Sequence, residues 1–196
     1  MDKAQRVAEV VEASSAEFTG QCYKLEQAPP LGSLVKTKSE LLEIYGIVYN
    51  VETHSLEPGR RLVARGEKVE TEGEIFQSNP QLVRLLRTDF RVLVVGHSQG
   101  DSLNHYLPQK PAPIHGFVYT CQLDEVKAFT QSLDFLGLLV DAKLPVSVDE
   151  VIAACLRYAS LSHPDTKAFL VRAGKELAYL LSSDARRLNS LLKRLK

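Results

Sequence analysis

Apolar and polar side chains alternate through most of the first hundred residues, and this two-residue period predicts strands. Residues 6 to 12 are rich in valine. In EFTGQCYK, Phe18, Gly20 and Cys22 alternate with Thr19, Gln21 and Tyr23. Pro29, Pro30 and Gly32 then break the chain. SLVKT resumes a strand, and EIYGIVYNVE is the clearest strand of all, dense in β-branched and aromatic residues. Gly46 in its middle predicts a bend or a close backbone approach. EPGR at 57 to 60 is a turn, RLVAR follows, and the charged GEKVETEGE is expected to be a loop or ragged edge. One short helix is expected in SNPQLVRLLR, with Asn79 as cap, Pro80 at the first helical position, and Leu82, Val83, Leu85 and Leu86 as its apolar face. Phe90 to Val95 returns to strand, three prolines at 108, 111 and 113 impose an extended course, and FVYT at 117 to 120 closes the series.

Beyond residue 122 the period lengthens. Val126, Phe129, Leu133 and Leu136 fall at helical spacing. Ser147 and Glu150 form a capping box ahead of a face made by Val151, Ala154, Cys155 and Tyr158. DTKAFLVRAGKELAYLLS and DARRLNSLLKRLK complete a helical tail. The expected fold is α+β. Residues 1–121 form a closed or nearly closed antiparallel barrel of about six strands, because closure removes sheet edges. Residues 122–196 form a bundle of three to four helices.

Composition narrows the functions. The chain has 196 residues, 44% apolar, with 24 acidic and 24 basic side chains, so no global field draws it to nucleic acid or anionic lipid. The longest uncharged apolar run, Phe135 to Val140, is too short to span a bilayer. The start, MDKAQRVAEVV, lacks the pattern of a secretory signal. Cys22, Cys121 and Cys155 are widely spaced without a C-x-x-C, which predicts reduced, buried thiols and a cytoplasmic setting.

Gly96-His97-Ser98-Gln99-Gly100 matches G-x-S-x-G, the nucleophile elbow of α/β-hydrolases. That motif needs a strand turning sharply into a helix, and Pro108 leaves room for two helical turns at most after Gly100. Ser98, Asp149 and His163 make a triad on paper, but the last two sit in the helical tail. The bland reading, a glycine-rich turn in which Gly96 and Gly100 supply unusual backbone angles, is preferred. His97, Asp101 and His105 would share a helical face able to hold a metal, yet Gly100 and Pro108 argue against that helix. His54 and His115 lie beside turns as surface residues. Neither a phosphate loop nor a dinucleotide fingerprint is present. No catalytic residue, metal or cofactor is assigned.

The one local charge asymmetry is the C-terminal helix, where Arg186, Arg187, Lys193, Arg194 and Lys196 surround Leu188, Leu191, Leu192 and Leu195. Its plain reading is a packed last helix with cations at its negative end. The acidic EKVETEGE is a possible intramolecular counterpart.

Gly32-Ser33-Leu34-Val35, Gly46-Ile47-Val48 and the opening RVAEVVEASSAEFTGQCY together resemble the HAS barrel. This is the small β-barrel at the N-terminus of HerA-type DNA translocases and of rotary ATP synthase catalytic subunits. The likeness covers roughly residues 5 to 120. It implies the barrel fold and a role in ring or subunit contacts. It implies no ATPase chemistry, because helices follow where those enzymes carry a nucleotide-binding domain. The leading expectation is a non-enzymatic protein-interaction or assembly module with a protein partner or self-association. The alternative is nucleic-acid binding, with Tyr23, Tyr45 and Tyr49 as aromatics and Arg60, Arg61, Arg65, Arg186, Arg187, Lys193 and Arg194 as the cations. A hydrolase built on Ser98 ranks last.

Overall fold

A computed structural model describes residues 5–39, 42–57, 59, 61–100 and 102–195. The fold is α+β. Its strands are β1 (Arg6–Ala13), β2 (Glu17–Cys22), β3 (Leu34–Lys38), β4 (Glu43–Ser55), β5 (Leu86–Gln99), β6 (Ser102–Asn104) and β7 (Phe117–Thr120). They run in the order β2-β1-β7-β3-β4-β5-β6, and β2 also pairs with β5. That extra ladder, from Glu17↔Leu93 to Gln21↔Asp89, closes β1, β7, β3, β4, β5 and β2 into a six-stranded antiparallel barrel. β6 is a short hairpin return hung on the end of β5.

The barrel interior is filled with side chains. Ala8, Val10, Phe18, Val35, Ile44, Val48, Phe90, Val92, Val94 and Val118 form one buried cluster, and Ala112 of the proline-rich segment packs into it. On β4 and β5 the outward residues are buried too: Tyr45, Ile47, Tyr49, Leu93 and Val95 belong to a second cluster shared with the helices. This double burial explains why EIYGIVYNV is nearly continuous in apolar residues instead of alternating.

Five helices follow the last strand: α3 (Leu123–Phe129), α4 (Leu136–Val140), α5 (Val148–Ser160), α6 (Thr166–Leu180) and α7 (Ala185–Lys193). Their apolar faces, including Val126, Phe129, Leu136, Ile152, Leu156, Phe169 and Leu191, complete the second cluster. The periodic run over 126 to 136 is therefore two short helices. Ser132 Oγ accepts from Asp134 N–H, a local turn that competes with helix. The capping box also lies elsewhere than expected. Ser147 makes no side-chain cap bond, whereas Gln122 and Glu125 cap α3 reciprocally.

Before these, the 56–85 segment holds α1 and α2, spanning Glu72–Ser78 and Leu82–Leu85. The charged stretch expected as loop thus contributes α1, and Asn79 ends that helix instead of capping the next. Leu86 is claimed by its ladder partner Ser55, which leaves α2 four residues long with no buried side chain.

Two glycines set the close approaches. Gly32 sits in a turn closed by Ser33 N–H to Pro30 O, at φ +81°. A Cβ there would lie 2.4 Å from the Cys155 backbone nitrogen of α5. At Gly46 a Cβ would fall 2.3 Å from Val92 Cγ1, and the β4–β5 register shifts beside it, so the predicted close approach is present. Gly32→Ala should cost at least about 2 kcal/mol through left-handed strain plus clash with a helix backbone. Gly137→Ala, in helical backbone facing open space, should be neutral or slightly stabilising. Urea midpoints of the two variants test the contrast.

Candidate functional site

The helices cover one side of the barrel and leave the outer wall of β1, β2 and β7 bare. Alternation along these strands sends Ala8, Val10, Phe18 and Val118 inward and turns Glu9, Phe117, Tyr119 and Gln21 outward. On this wall the Arg6 guanidinium carbon lies 4.6 Å from the Phe117 ring centre and 5.2 Å from that of Tyr23. Each contact is a cation–π pair. Phe117 is 44% exposed and Tyr23 49%, and Val7 and Tyr119 add half-buried surface. The Tyr23 hydroxyl donates to Glu9 at 3.4 Å, and His115 Nδ1 meets the other oxygen of the same carboxylate. Glu9 is thereby occupied, and among the described residues Arg6 has no carboxylate partner.

The bare side continues across β2, β5 and the far half of β4 as a polar cleft of about 490 Å³. Asp89 forms its floor, nearly buried, accepting from Gln21 Nε2 at 3.1 Å and ion-paired with Arg87, whose Nε lies 3.1 Å away. Arg87 also donates to His54 Nε2 at 2.7 Å. His54, expected to be a surface residue, is one member of this network. Its floor charges are paired with one another, Asp89 with Arg87, and Glu12, Glu52 and Arg91 line the rest of the cleft.

A second polar cluster joins barrel to helices. Lys36, almost buried on β3, donates to Glu43 of β4 and to Glu125 in the first turn of α3. Glu43 also accepts from Lys38 and from the Tyr45 hydroxyl at 2.9 Å. Burial opposes the charge on Glu43, but the bonds from Lys38, Tyr45 and Lys36 outweigh it and hold the carboxyl at about 2. Burial and the bond to Glu43 push the Tyr45 phenol up to about 12. The cluster consumes its own charges and reads as a structural tie.

Ser98 lies within the β5–β6 hairpin, paired with Leu103. Gly100 takes φ +59° at the turn, whereas the missing Cβ of Gly96 makes room for Asn104 O and the Phe129 ring. The strand-to-helix elbow that G-x-S-x-G requires is not formed here, since β6 follows β5. Asp149 instead accepts from Arg187 at 2.8 Å, and His163 meets Thr130 Oγ1 and stacks on Phe169. His97 Nδ1 faces the Tyr106 carbonyl, and His105 lies edge-on against Phe129 and Phe135, its pKa lowered by burial. Asp101 lies outside the described residues. Among those described, no group of His, Cys, Asp and Glu is placed to hold a metal.

The cations expected to bind a partner do not converge. Arg60 and Lys196 lie outside the described residues. Arg61 and Arg65 sit on the 56–85 segment, where Arg65 donates to Asn79. On α7, Arg187 is spent on Asp149 and Arg194 on Glu150, both in the first turn of α5, while Arg186 and Lys193 stay exposed. The counterpart of the basic helix is thus α5, and not the acidic EKVETEGE stretch. Tyr45 and Tyr49 are 8% and 1% exposed under the helices and cannot stack on a base. Arg6, Phe117 and Tyr119 carry no motif that marks them as a site. The period of FVYT held part of the signal, since it puts both aromatics on one face.

Cys22, Cys121 and Cys155 are free thiols. Burial raises all three, Cys22 to about 11 with help from Asp89, and Cys155 to about 12. No helix among the described residues is long and apolar enough to cross a membrane. No protein-family model matches the chain, and no curated protein matches it.

The Glu43 carboxylate stabilises the fold above its ordinary value near 4.5, and that contribution disappears as pH falls through about 2. Allowing for partial exposure, Glu43→Gln should lose on the order of 1–2 kcal/mol at neutral pH. It should lose much less near pH 2, as read from unfolding midpoints across that window.

Proposed function

We propose that this chain is a non-enzymatic assembly module, a stand-alone barrel of the HAS type, that docks a protein partner on the bare wall of β1, β2 and β7. The observation that carries the reading is Arg6 held between Tyr23 and Phe117, without a carboxylate partner among the described residues and with Tyr119 beside it. Tyrosine, phenylalanine and arginine are the residues enriched at the centre of protein interfaces. The two rings already hold the guanidinium in place, so a partner meets an ordered group and less side-chain entropy is lost on docking. The family likeness rests on the motifs Gly32-Ser33-Leu34-Val35 and Gly46-Ile47-Val48 and on closure of six strands. In this reading the helices act as one bundle that buttresses the opposite wall. The three raised thiols suit a reducing compartment such as the cytoplasm.

Nucleic-acid binding is the second reading. Tyr23 and Arg6 favour it, since a ring and a guanidinium on a barrel wall can hold a base and a phosphate. Glu9 and Glu12 on the same side oppose it, as do the α7 cations already paired to α5. A single-stranded oligonucleotide should therefore show little retention at low salt. Tight binding that falls steeply with added salt would promote this reading over the first.

Affinity capture from cells that express the chain, combined with solution mass, tests the proposal. The expected result is a stoichiometric protein complex weakened about tenfold or more when Tyr23→Ala and Phe117→Ala are combined. Complexes that ignore those substitutions, or none at all, would overturn it.

A further inference from the structure

Resting on that reading, we infer that the chain also binds a second copy of itself, the segment 61–65 of one molecule seating in the groove between barrel rim and α4 of the next. The segment reads Arg-Leu-Val-Ala-Arg, lies in neither helix nor strand, and is exposed at all five positions. Leu62 is 56% exposed and Val63 74%, the highest apolar exposure on the 56–85 excursion. It is presented outward. Arg65 Nη1 donates to Asn79 Oδ1 at 3.1 Å, and Gly66 packs under Ile75, so its C-terminal end is fixed on α1. Arg61 has no ion-pair partner among the described residues. Extended segments of this kind bind by placing apolar side chains in pockets while flanking charges fix register.

The chain carries a matching receptor. A groove of about 420 Å³ opens where the β1–β2 turn and β5 face α4 and the residues after it. Leu107, Leu138 and Leu144 supply apolar lining, and Glu17 and Asp141 supply carboxylates. Lys143 is the one cation there, so the groove is net negative and the segment carries two guanidiniums. The fit is apolar against apolar, with opposite charges at the borders. Within one molecule the excursion leaves the barrel at Ser55 and Leu86, whereas the groove lies along Leu93 and Val94 on another stretch of β5. Donor and receptor are both carried by this sequence, so a second copy supplies the occupant without another protein.

The full chain is examined by sedimentation over a range of concentrations up to high micromolar, with circular dichroism melts to verify that each variant folds. The expected result is a mass that rises with concentration. Val63→Glu in the segment and Leu138→Glu in the groove should each weaken association about tenfold or more. Arg61→Glu and Asp141→Arg should each weaken it, and the two together should restore it. A monomer at every concentration, or association unmoved by these variants, overturns the inference. If a protein partner is still captured through Tyr23 and Phe117 in that case, the assembly reading survives and only the self-contact falls. If neither segment, groove nor wall substitutions matter, both fall.

Discussion

Val48, Val92 and Val94 point into the barrel while Tyr45, Ile47, Leu93 and Val95 point out, and both sets are sealed from water. A strand buried on both faces needs a second layer, and among the described residues the helices after residue 122 supply it. Each large side chain so buried is worth roughly 1.5–3 kcal/mol relative to exposure, before conformational entropy is counted. Losing the helical layer would therefore expose a continuous apolar wall of the barrel. The same constraint dictates Gly32. The turn before β3 passes so close to the α5 backbone that no Cβ fits between them. It also gives Lys36 its place. At the margin of this contact an ammonium bridges a strand carboxylate and a helix carboxylate, and so fixes where α3 begins. A buried pair of this kind adds registry more securely than it adds net stability.

Covering β3, β4 and β5 decides which wall stays bare. β1, β2 and β7 keep a single buried face, and their outward residues meet solvent. Arg6, Tyr23, Phe117 and Tyr119 stand there because the far side of the ring is occupied. The polar cleft around Asp89 has the same origin. Beyond Tyr49, β4 runs past the helices, and its outward residues switch from tyrosine and isoleucine to Asn50, Glu52 and His54.

Much of this was legible in the sequence. Strand periodicity, the change of period near residue 122, the close approach at Gly46 and the weakness of the G-x-S-x-G context all came from local patterns, and local patterns determine them. What escaped depends on distance along the chain. Glu125 stands 89 positions from Lys36, and Tyr119 meets Arg6 only through the β1–β7 ladder. Helical spacing over 126 to 136 does not reveal that the run is split between two helices by the Ser132 turn. The Asn79–Pro80 signal failed because the β4–β5 ladder extends to Leu86 and takes residues that a helix would need. A strand pattern does not say which face a later helix will cover, and so it does not show that Tyr45 and Tyr49 are buried.

Closure also constrains how such a chain can associate. A ring of six paired strands leaves few free edges among the described residues: the three-residue β6, and the far end of β4, which past Val48 pairs with β5 alone. Closure thus removes most, though not all, of the backbone edge through which sheets recruit partners. The remaining routes to association are side chains on an outer wall and a segment that leaves the ring. The molecule has one of each, the aromatic wall around Arg6 and the excursion between β4 and β5. The excursion interrupts a hairpin that a two-residue turn could have joined, since Ser55 and Leu86 are direct ladder partners. The insertion projects Leu62 and Val63 into water. Exposed apolar groups on such a segment are costly to solubility unless another surface covers them. That cost is the physical argument for an occupied groove.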